Sequence, residues 1–144
     1  MEKGFDPRAI LHGNDAKMWM GGTEVVTGIS LEAKLNIDNE NVSVLGRSGT
    51  YARFNGFSGT ATMKRYKTDS SYILLIVEYV KTGIMPDGLV IISSVAQPLT
   101  GKVERVAFKD ISFTEATLAQ LETKALMQEE IPFDFGDFEV LEAI

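Results

Sequence analysis

The residue best suited to proton transfer near neutral pH is a histidine, and this chain of 144 residues contains one, His12. It lies in residues 1–14, which show no hydrophobic period and contain Gly4, Pro7 and Gly13. This composition predicts an extended N-terminal arm, which would not hold a base within the ~0.5 Å tolerance of a catalytic site. We therefore interpret His12 as an incidental surface residue and assign no catalytic residue.

The carboxylate and glycine motifs do not indicate a catalytic, calcium-binding or phosphate-binding site either. Glu129 and Glu130 are adjacent, and adjacent strand residues point to opposite faces, so they do not form an acid/base pair. Asp38–Asn41 has oxygen ligands without the spacing of a calcium loop, and Gly46–Gly49 lacks the helix that follows a phosphate loop. Since cysteine is absent as well, the sequence predicts no metal, no cofactor and no enzymatic activity.

Length and charge narrow the class of protein. The length predicts one domain, residues 15–144, behind the arm of residues 1–14. The net charge of −6 argues against a nucleic-acid binder, which is usually basic. No apolar run approaches the ~18 residues of a membrane span, so no membrane anchor is predicted.

The charges are unevenly distributed along the chain. The final segment, residues 129–144, contains acidic residues and no basic ones, whereas the charged residues of 39–67 are all basic except Glu40. The acidic residues are Glu129, Glu130, Asp134, Asp137, Glu139 and Glu142, and the basic ones are Arg47, Arg53, Lys64, Arg65 and Lys67. Two interpretations stay open: ordinary solvated charge, or complementary surfaces that meet between copies and steer assembly.

Alternation of polar and apolar residues predicts strands in the first half of the chain. Ala16–Met20 ends at a Gly-Gly turn, and the return strand contains Ile29–Ile37, with one apolar face expected to be half-buried. Phe57–Tyr66 predicts another long strand. Between them, residues 38–56 predict a long polar loop with a short strand at Val42–Leu45, and such loops are usually functional.

The second half predicts one helix and further strands. Ser70–Lys81 has helical periodicity, a capping residue near its start and Gly83 at its end, and is followed by a turn over residues 83–88. The later strands are predicted at Leu89–Val95, Val103–Thr114, Thr117–Met127 and Glu129–Phe135. The pattern also predicts a bulge near Lys109 and an edge or strand-end position for Pro132.

The predicted helix has two apolar stripes. One packs on the sheet, and the other, formed by Tyr72, Leu75 and Tyr79, belongs either to a deeply buried helix or to an interface with another subunit. Strands without alternating helices predict an antiparallel β-sandwich or half-barrel with one flanking α-helix. A small-ligand-binding β-barrel is the alternative from another functional class.

An ordered set of segments resembles a known family. The segments are Leu45–Arg47, Asn55–Thr62, the helix to Gly83, Glu104–Phe113 and Glu129–Phe135. They are similar, in order and spacing, to the tail tube proteins of PBSX-like defective prophages (the XkdM-like family). The resemblance covers roughly residues 14–140 and implies a fold shared with type VI secretion tube proteins.

The resemblance also implies a function. Members of the family are expected to form hexameric rings that stack as the inner tube of a contractile phage tail or a phage-tail-like bacteriocin. The stacking loop maps onto residues 38–56 and contains Arg47, Tyr51 and Arg53. The implied partners are a sheath protein, a tape-measure protein and a baseplate, in a virion tail assembled in the bacterial cytoplasm.

The tube would enclose a channel through which DNA or ions pass without specific binding. Glu32, Thr60 and Thr62 are the candidate channel-facing residues, because a mixed or acidic wall repels phosphates. A type VI secretion-like tube protein is the nearest alternative function.

Overall fold

A computed structural model describes residues 4, 6–85 and 89–144 of the chain. The start of the predicted arm and part of the predicted turn, residues 86–88, lie outside the described residues. The described part of the arm contains two short 3₁₀ turns, Pro7–Ala9 and Gly13–Asp15. The regular elements are β1 (Ala16–Met20), β2 (Thr23–Glu24), β3 (Gly28–Ser43), β4 (Thr50–Tyr66), α1 (Ser71–Thr82), β5 (Ile91–Ala96), β6 (Val103–Phe113) and β7 (Gln128–Glu142).

The described strands form one seven-stranded sheet in the order β2-β1-β5-β6-β7-β4-β3. Every pairing is antiparallel. The sheet curls at one end, where the side chain of Met18 in β1 leaves no room for a Cβ at Gly28 in β3. The mainly β class with one flanking helix is therefore confirmed.

The hydrophobic core lies between α1 and one face of the sheet. Tyr72 and Ile76 project from α1 onto side chains of β4, β6 and β7. Because strand side chains alternate, Ala61 and Met63 reach this core while Thr60 and Thr62 face away from it. The core residues are Met18, Ala61, Met63, Tyr72, Ile76, Ile91, Phe108, Ile111, Phe113, Ile131, Phe133 and Phe135.

The helix begins and ends within one residue of its predicted bounds. At its start, the Asp69 carboxylate accepts hydrogen bonds from the hydroxyl of Ser71 at 2.8 Å and from its backbone N–H at 3.1 Å. These bonds hold the pKa of Asp69 below its ordinary value, since they favour the ionised form. Gly83 ends the helix with a φ of 71°, a left-handed conformation that glycine adopts without strain.

The predicted loop over residues 38–56 is wrong as secondary structure. Most of it is strand: β3 continues to Ser43, β4 begins at Thr50, and only residues 44–49 form the turn. The polar residues that suggested a loop alternate along a hairpin with both faces open to solvent, so no buried apolar face produced a strand pattern.

Two further strand predictions are corrected. The strand that pairs with β1 across Gly21-Gly22 is β2, whereas the segment containing Ile29 pairs with β4. Leu35 and Ile37 are exposed, because β3 is the last strand of the sheet and α1 does not cover its outer part. Ile29 is exposed at the start of β3, where a register shift leaves it without a paired residue in β4. Residues 117–127, predicted as a strand, are irregular and exposed.

Pro132 lies in β7 between β4 and β6, where a proline normally removes a ladder hydrogen bond. Its carbonyl accepts from the N–H of Thr114 at 3.3 Å, one residue beyond the end of β6 at Phe113. The nitrogen of Pro132, which has no N–H, therefore points toward the side of β7 where β6 has already ended. On this side Pro132 is at the end of the strand pairing, as predicted, although β7 itself continues. The bulge predicted near Lys109 is wrong, because β6 and β7 keep one register from Val106 to Phe113 and the register shift lies between Arg105 and Val106. Asp110 has a left-handed φ of 53° within this regular stretch.

Candidate assembly surfaces

The outer halves of β3 and β4 project beyond the rest of the sheet. β7 pairs with β4 only over Gly59–Tyr66, so residues 38–43 and 50–56 pair only with each other. At ~3.3 Å per residue this part extends roughly 20 Å. We call residues 38–56 the projecting hairpin.

A β-bulge marks the root of the projecting hairpin. Asp38 pairs with Gly56 but Asn39 pairs with Phe54, which leaves Asn55 as the extra residue. The side-chain amide of Asn55 donates to the Asp38 carboxylate at 3.3 Å. Bulges bend and twist a strand, so this one sets the direction in which the hairpin leaves the sheet.

The projecting hairpin exposes large apolar side chains. They are Val42, Val44, Leu45, Tyr51 and Phe54. Leu45, at the turn, is fully exposed, with a relative accessibility of 101%. A concentration of exposed apolar side chains is typical of surfaces that contact other molecules.

The three predicted stacking residues all lie on this hairpin. Tyr51 and Arg53 are two residues apart in β4 and therefore share a face, opposite Val42 and Glu40 of β3. Arg47 lies in the turn, where its N–H donates to the carbonyl of Val44 at 3.1 Å. The fold thus brings Arg47, Tyr51 and Arg53 onto one element, and their role in stacking stays a prediction.

The three predicted channel residues also lie together. Glu32 pairs with Thr62, and Lys34 pairs with Thr60, across β3 and β4. Their side chains are on the face of the sheet opposite α1, beside Asp134 of β7. The ammonium of Lys34 lies 3.1 Å from the Glu32 carboxylate. This face is polar and carries charges of both signs.

The helix stripe predicted as an interface divides between core and surface. Tyr72 is 1% exposed and its hydroxyl donates to the carbonyl of Glu115 at 2.8 Å, so this residue belongs to the core of its own subunit. Burial, together with the negative charges of Glu129 and Glu115, raises the pKa of Tyr72 to about 12. Leu75 is half-buried against the core, and Tyr79 is half-buried.

Exposed apolar residues near the helix were missed by sequence reasoning. Leu74 and Val80 of α1 are exposed, and Leu118 lies beside a groove of about 510 Å³ between α1 and residues 113–118. Leu121 and Leu126 are exposed in the same irregular segment. Residues 117–127 are predicted as a strand, but in the described part of the chain this segment joins no sheet, so its leucines lie at the surface.

The predicted complementary acidic and basic surfaces do not form as continuous patches. Glu129 is buried and pairs with Arg65, and Glu139 lies 2.8 Å from the ammonium of Lys109, whose pKa this hydrogen bond raises. The basic segment is divided as well, because β4 carries Arg53 to the projecting hairpin and Lys64 to the opposite end. Charges close in sequence are therefore separated or neutralised within the subunit.

Within the described ranges, no three His, Asp or Glu side chains come close enough to form a metal site. In the same part of the chain, no helix has the length and apolar character needed to cross a bilayer.

Comparison with known proteins identifies the family. The sequence profile of the phage tail tube protein family matches residues 3–142. The chain belongs to the phage tail tube protein family. Its resemblance to the tube proteins of PBSX-like prophages is confirmed by the phage-like element PBSX protein XkdM of Bacillus subtilis (strain 168). That protein is 30% identical over 135 residues, which cover 93% of this chain and 92% of the relative.

Solved structures share the fold of this tail tube protein. A chain of an extracellular contractile injection system, from its extended PVC sheath–tube complex, matches with a TM-score of 0.68 and 10% identity, covering 93% of both chains. A chain of the anti-feeding prophage cap, which terminates a tube, matches with a TM-score of 0.69 and 11% identity, covering 98% of this chain and 97% of that one. At these identities the matches establish the fold.

Proposed function

We propose that this phage tail tube protein closes into hexameric rings, which stack as the inner tube of a contractile phage tail or phage-tail-like particle. The observation that carries the proposal is the projecting hairpin. It extends beyond the sheet, has no partner within the described residues and exposes five large apolar side chains. Such an element suits a contact with the next ring.

The edge of the sheet supports ring closure. β3 is the last strand in the sheet order, so one side of this 16-residue strand has no paired strand in the described part of the subunit. Long unpaired edges promote association and are normally shortened, charged or covered. A cyclic assembly would cover this edge with the adjacent subunit and leave no free end in the ring.

The helix flank supplies a second contact between ring neighbours in this proposal. Leu75 and Tyr79 border the exposed side chains of Leu74 and Val80, which together give α1 an apolar outer surface. Tyr72 supports this surface from below, because its ring packs edge-on against Phe113 at 5.4 Å within the core.

The polar face of the sheet would line the channel. Glu32, Thr60 and Thr62 lie on this face together with Lys34 and Asp134, so both signs of charge are present. A wall of this kind presents few unpaired cations to phosphate groups, and DNA or ions would pass without being bound.

The remaining parts of the proposal follow from the tube. A sheath protein would surround it, a tape-measure protein would occupy it during assembly, and a baseplate would hold its lower end. Assembly would take place in the bacterial cytoplasm and the product would be a virion tail or tail-like particle. The subunit would act without a cofactor, as a structural protein and not as an enzyme.

A type VI secretion-like tube is the alternative within the same class, and it would use the same surfaces. A small-ligand-binding barrel is less well supported. The concave side of the sheet is filled by Met63, Ile131 and Phe133 under α1, where such a barrel would hold its ligand.

Electron microscopy of the purified full chain tests the proposal. We expect rings and tubes whose abundance rises with protein concentration, with a sixfold subunit number in native mass spectrometry. A chain that stays monomeric at millimolar concentration would refute it. A variant with Leu45 and Tyr51 replaced by serine serves as the matched test of the hairpin, and it should form rings that no longer stack.

A further inference from the structure

An open groove lies at the end of the sheet opposite the projecting hairpin. It has a volume of about 490 Å³ and lies between the end of β4, the start of β7 and the irregular segment before β7. Its lining includes Lys64, Glu122, Leu126, Glu129 and Glu130. We propose that this groove receives the turn of the projecting hairpin, residues 44–49, from a second copy of the chain in the next ring. The inference rests on the proposed function.

The two surfaces lie at opposite ends of one strand. β4 begins at Thr50 beside the turn and ends at Tyr66, which lines the groove. Seventeen residues of strand span about 55 Å at ~3.3 Å per residue. Translation along this strand brings the turn of one copy to the groove of another, which is the head-to-tail relation that generates filaments.

Charge also favours this pairing. The turn carries one charged side chain, Arg47. The groove carries Glu122 and Glu130 against the cation of Lys64, and its third glutamate, Glu129, is already paired with Arg65. An arginine entering the groove therefore meets an excess of carboxylates, and guanidinium–carboxylate pairs are among the strongest protein hydrogen bonds.

Glu129 gives an independent indication that the groove lacks a donor. Its side chain is 5% exposed, and both hydrogen bonds from Arg65 go to Oε1. The second oxygen, Oε2, is buried and has no hydrogen-bond partner within the described chain. A buried carboxylate oxygen without a donor is costly, so a donor from an incoming subunit would remove an existing penalty.

The turn and the groove each expose a leucine side chain that could be buried when the two surfaces meet. Leu45 at the turn is fully exposed, and Leu126 on the wall of the groove is 78% exposed. Both would lose contact with water when the turn enters. Burying a leucine side chain is favourable, and each surface lacks such cover in the single chain.

Charge exchange tests the pairing in the full-length protein. We expect Arg47→Glu and Glu130→Arg to shorten tubes at least tenfold by negative-stain microscopy, while rings persist in native mass spectrometry. Combining the two substitutions restores the opposite charges, and we expect tube length to recover to within twofold of the parent. Glu104→Arg, an exposed change on β6 away from the groove lining, is the matched control and should leave tube length unaltered.

The outcomes separate this inference from the proposed function. Normal tubes from both single variants, or no recovery in the double variant, would overturn the pairing while leaving a ring-forming tube protein. Absence of rings from the parent chain would overturn the proposed function itself. Glu122→Lys repeats the test at a second groove position, and thermal melting verifies that each variant is folded.

Discussion

Oε1 of Glu129 accepts hydrogen bonds from both Nε and Nη2 of Arg65, at 2.9 and 2.8 Å. The two residues pair across β4 and β7, and their side chains are 13% and 5% exposed. An ion pair excluded from water in this way contributes to the register between the two strands, because any slip would leave two buried charges unpaired.

Removing one partner of this pair should be strongly destabilising. We expect Arg65→Met to lower the free energy of unfolding by about 3–5 kcal/mol in urea denaturation, because Glu129 keeps a buried charge without its counterion. The double variant Arg65→Met with Glu129→Leu should recover most of that loss. Lys109→Met, which breaks the exposed pair with Glu139, is the control and should have little effect; an equal loss there would contradict the argument.

Gly59 is required because the ring of Phe135 lies directly against its Cα. A Cβ at this position would overlap that ring, which itself packs against Phe108 with centroids 4.9 Å apart. We expect Gly59→Ala to cost about 1–3 kcal/mol of stability by overpacking, measured by chemical denaturation. Gly49→Ala, in the open turn, is the control and should change stability little.

The hydroxyl of Tyr72 should lose its proton only at high pH in the folded chain, and the free energy of unfolding should fall over this alkaline range. Its pKa is raised to about 12 from an ordinary value of 10, so the folded chain holds this proton more tightly than the unfolded chain does. The contribution is complete below pH 10 and is lost as the pH rises from 10 to 12. Urea denaturation across this range should show the loss in the parent and a shallower dependence in Tyr72→Phe, whereas identical slopes would argue against it.

The outer surface of α1 should affect assembly more than folding. Val80 is 73% exposed, so we expect Val80→Asp to reduce ring formation while leaving the thermal midpoint within about 2 °C. Tyr79→Asp should act in the same direction. Leu75→Asp should also lower the midpoint, because Leu75 packs against the core. Size-exclusion chromatography with light scattering and melting curves separate these effects, and unaltered rings in Val80→Asp would exclude this surface.

Local sequence patterns predict the elements that have one face buried in the core. Met63, Ile131 and Phe133 alternate with polar neighbours because one side of their strands faces the core, and the helix of Tyr72 has clear signals at both ends. The projecting hairpin gives no such signal, since both of its faces are open in the single chain. Its sequence therefore predicts a loop where the structure has two strands.

Strand pairing and surface contacts depend on partners far along the chain. Nothing local to Thr23 indicates that it, and not the segment of Ile29, pairs with β1. The leucines at 118, 121 and 126 are three and five residues apart, so they do not share one face of a strand, and within the described residues their segment pairs with no strand. Strand alternation places Thr60 and Thr62 on one face of β4, whereas the position of Glu32 beside them depends on the register between β3 and β4.

If the turn of one ring binds the groove of the next, the length of β4, seventeen residues, sets the spacing between rings. The distance from Thr50 to Tyr66 would then govern the axial rise of the particle, so adding a pair of residues on each arm of the hairpin would lengthen every repeat by about 7 Å. Pairs preserve the inward and outward sides, whereas a single added residue reverses them. A sheath whose repeat matches the original ring spacing would then be out of register with the tube, and the mismatch would grow with every ring.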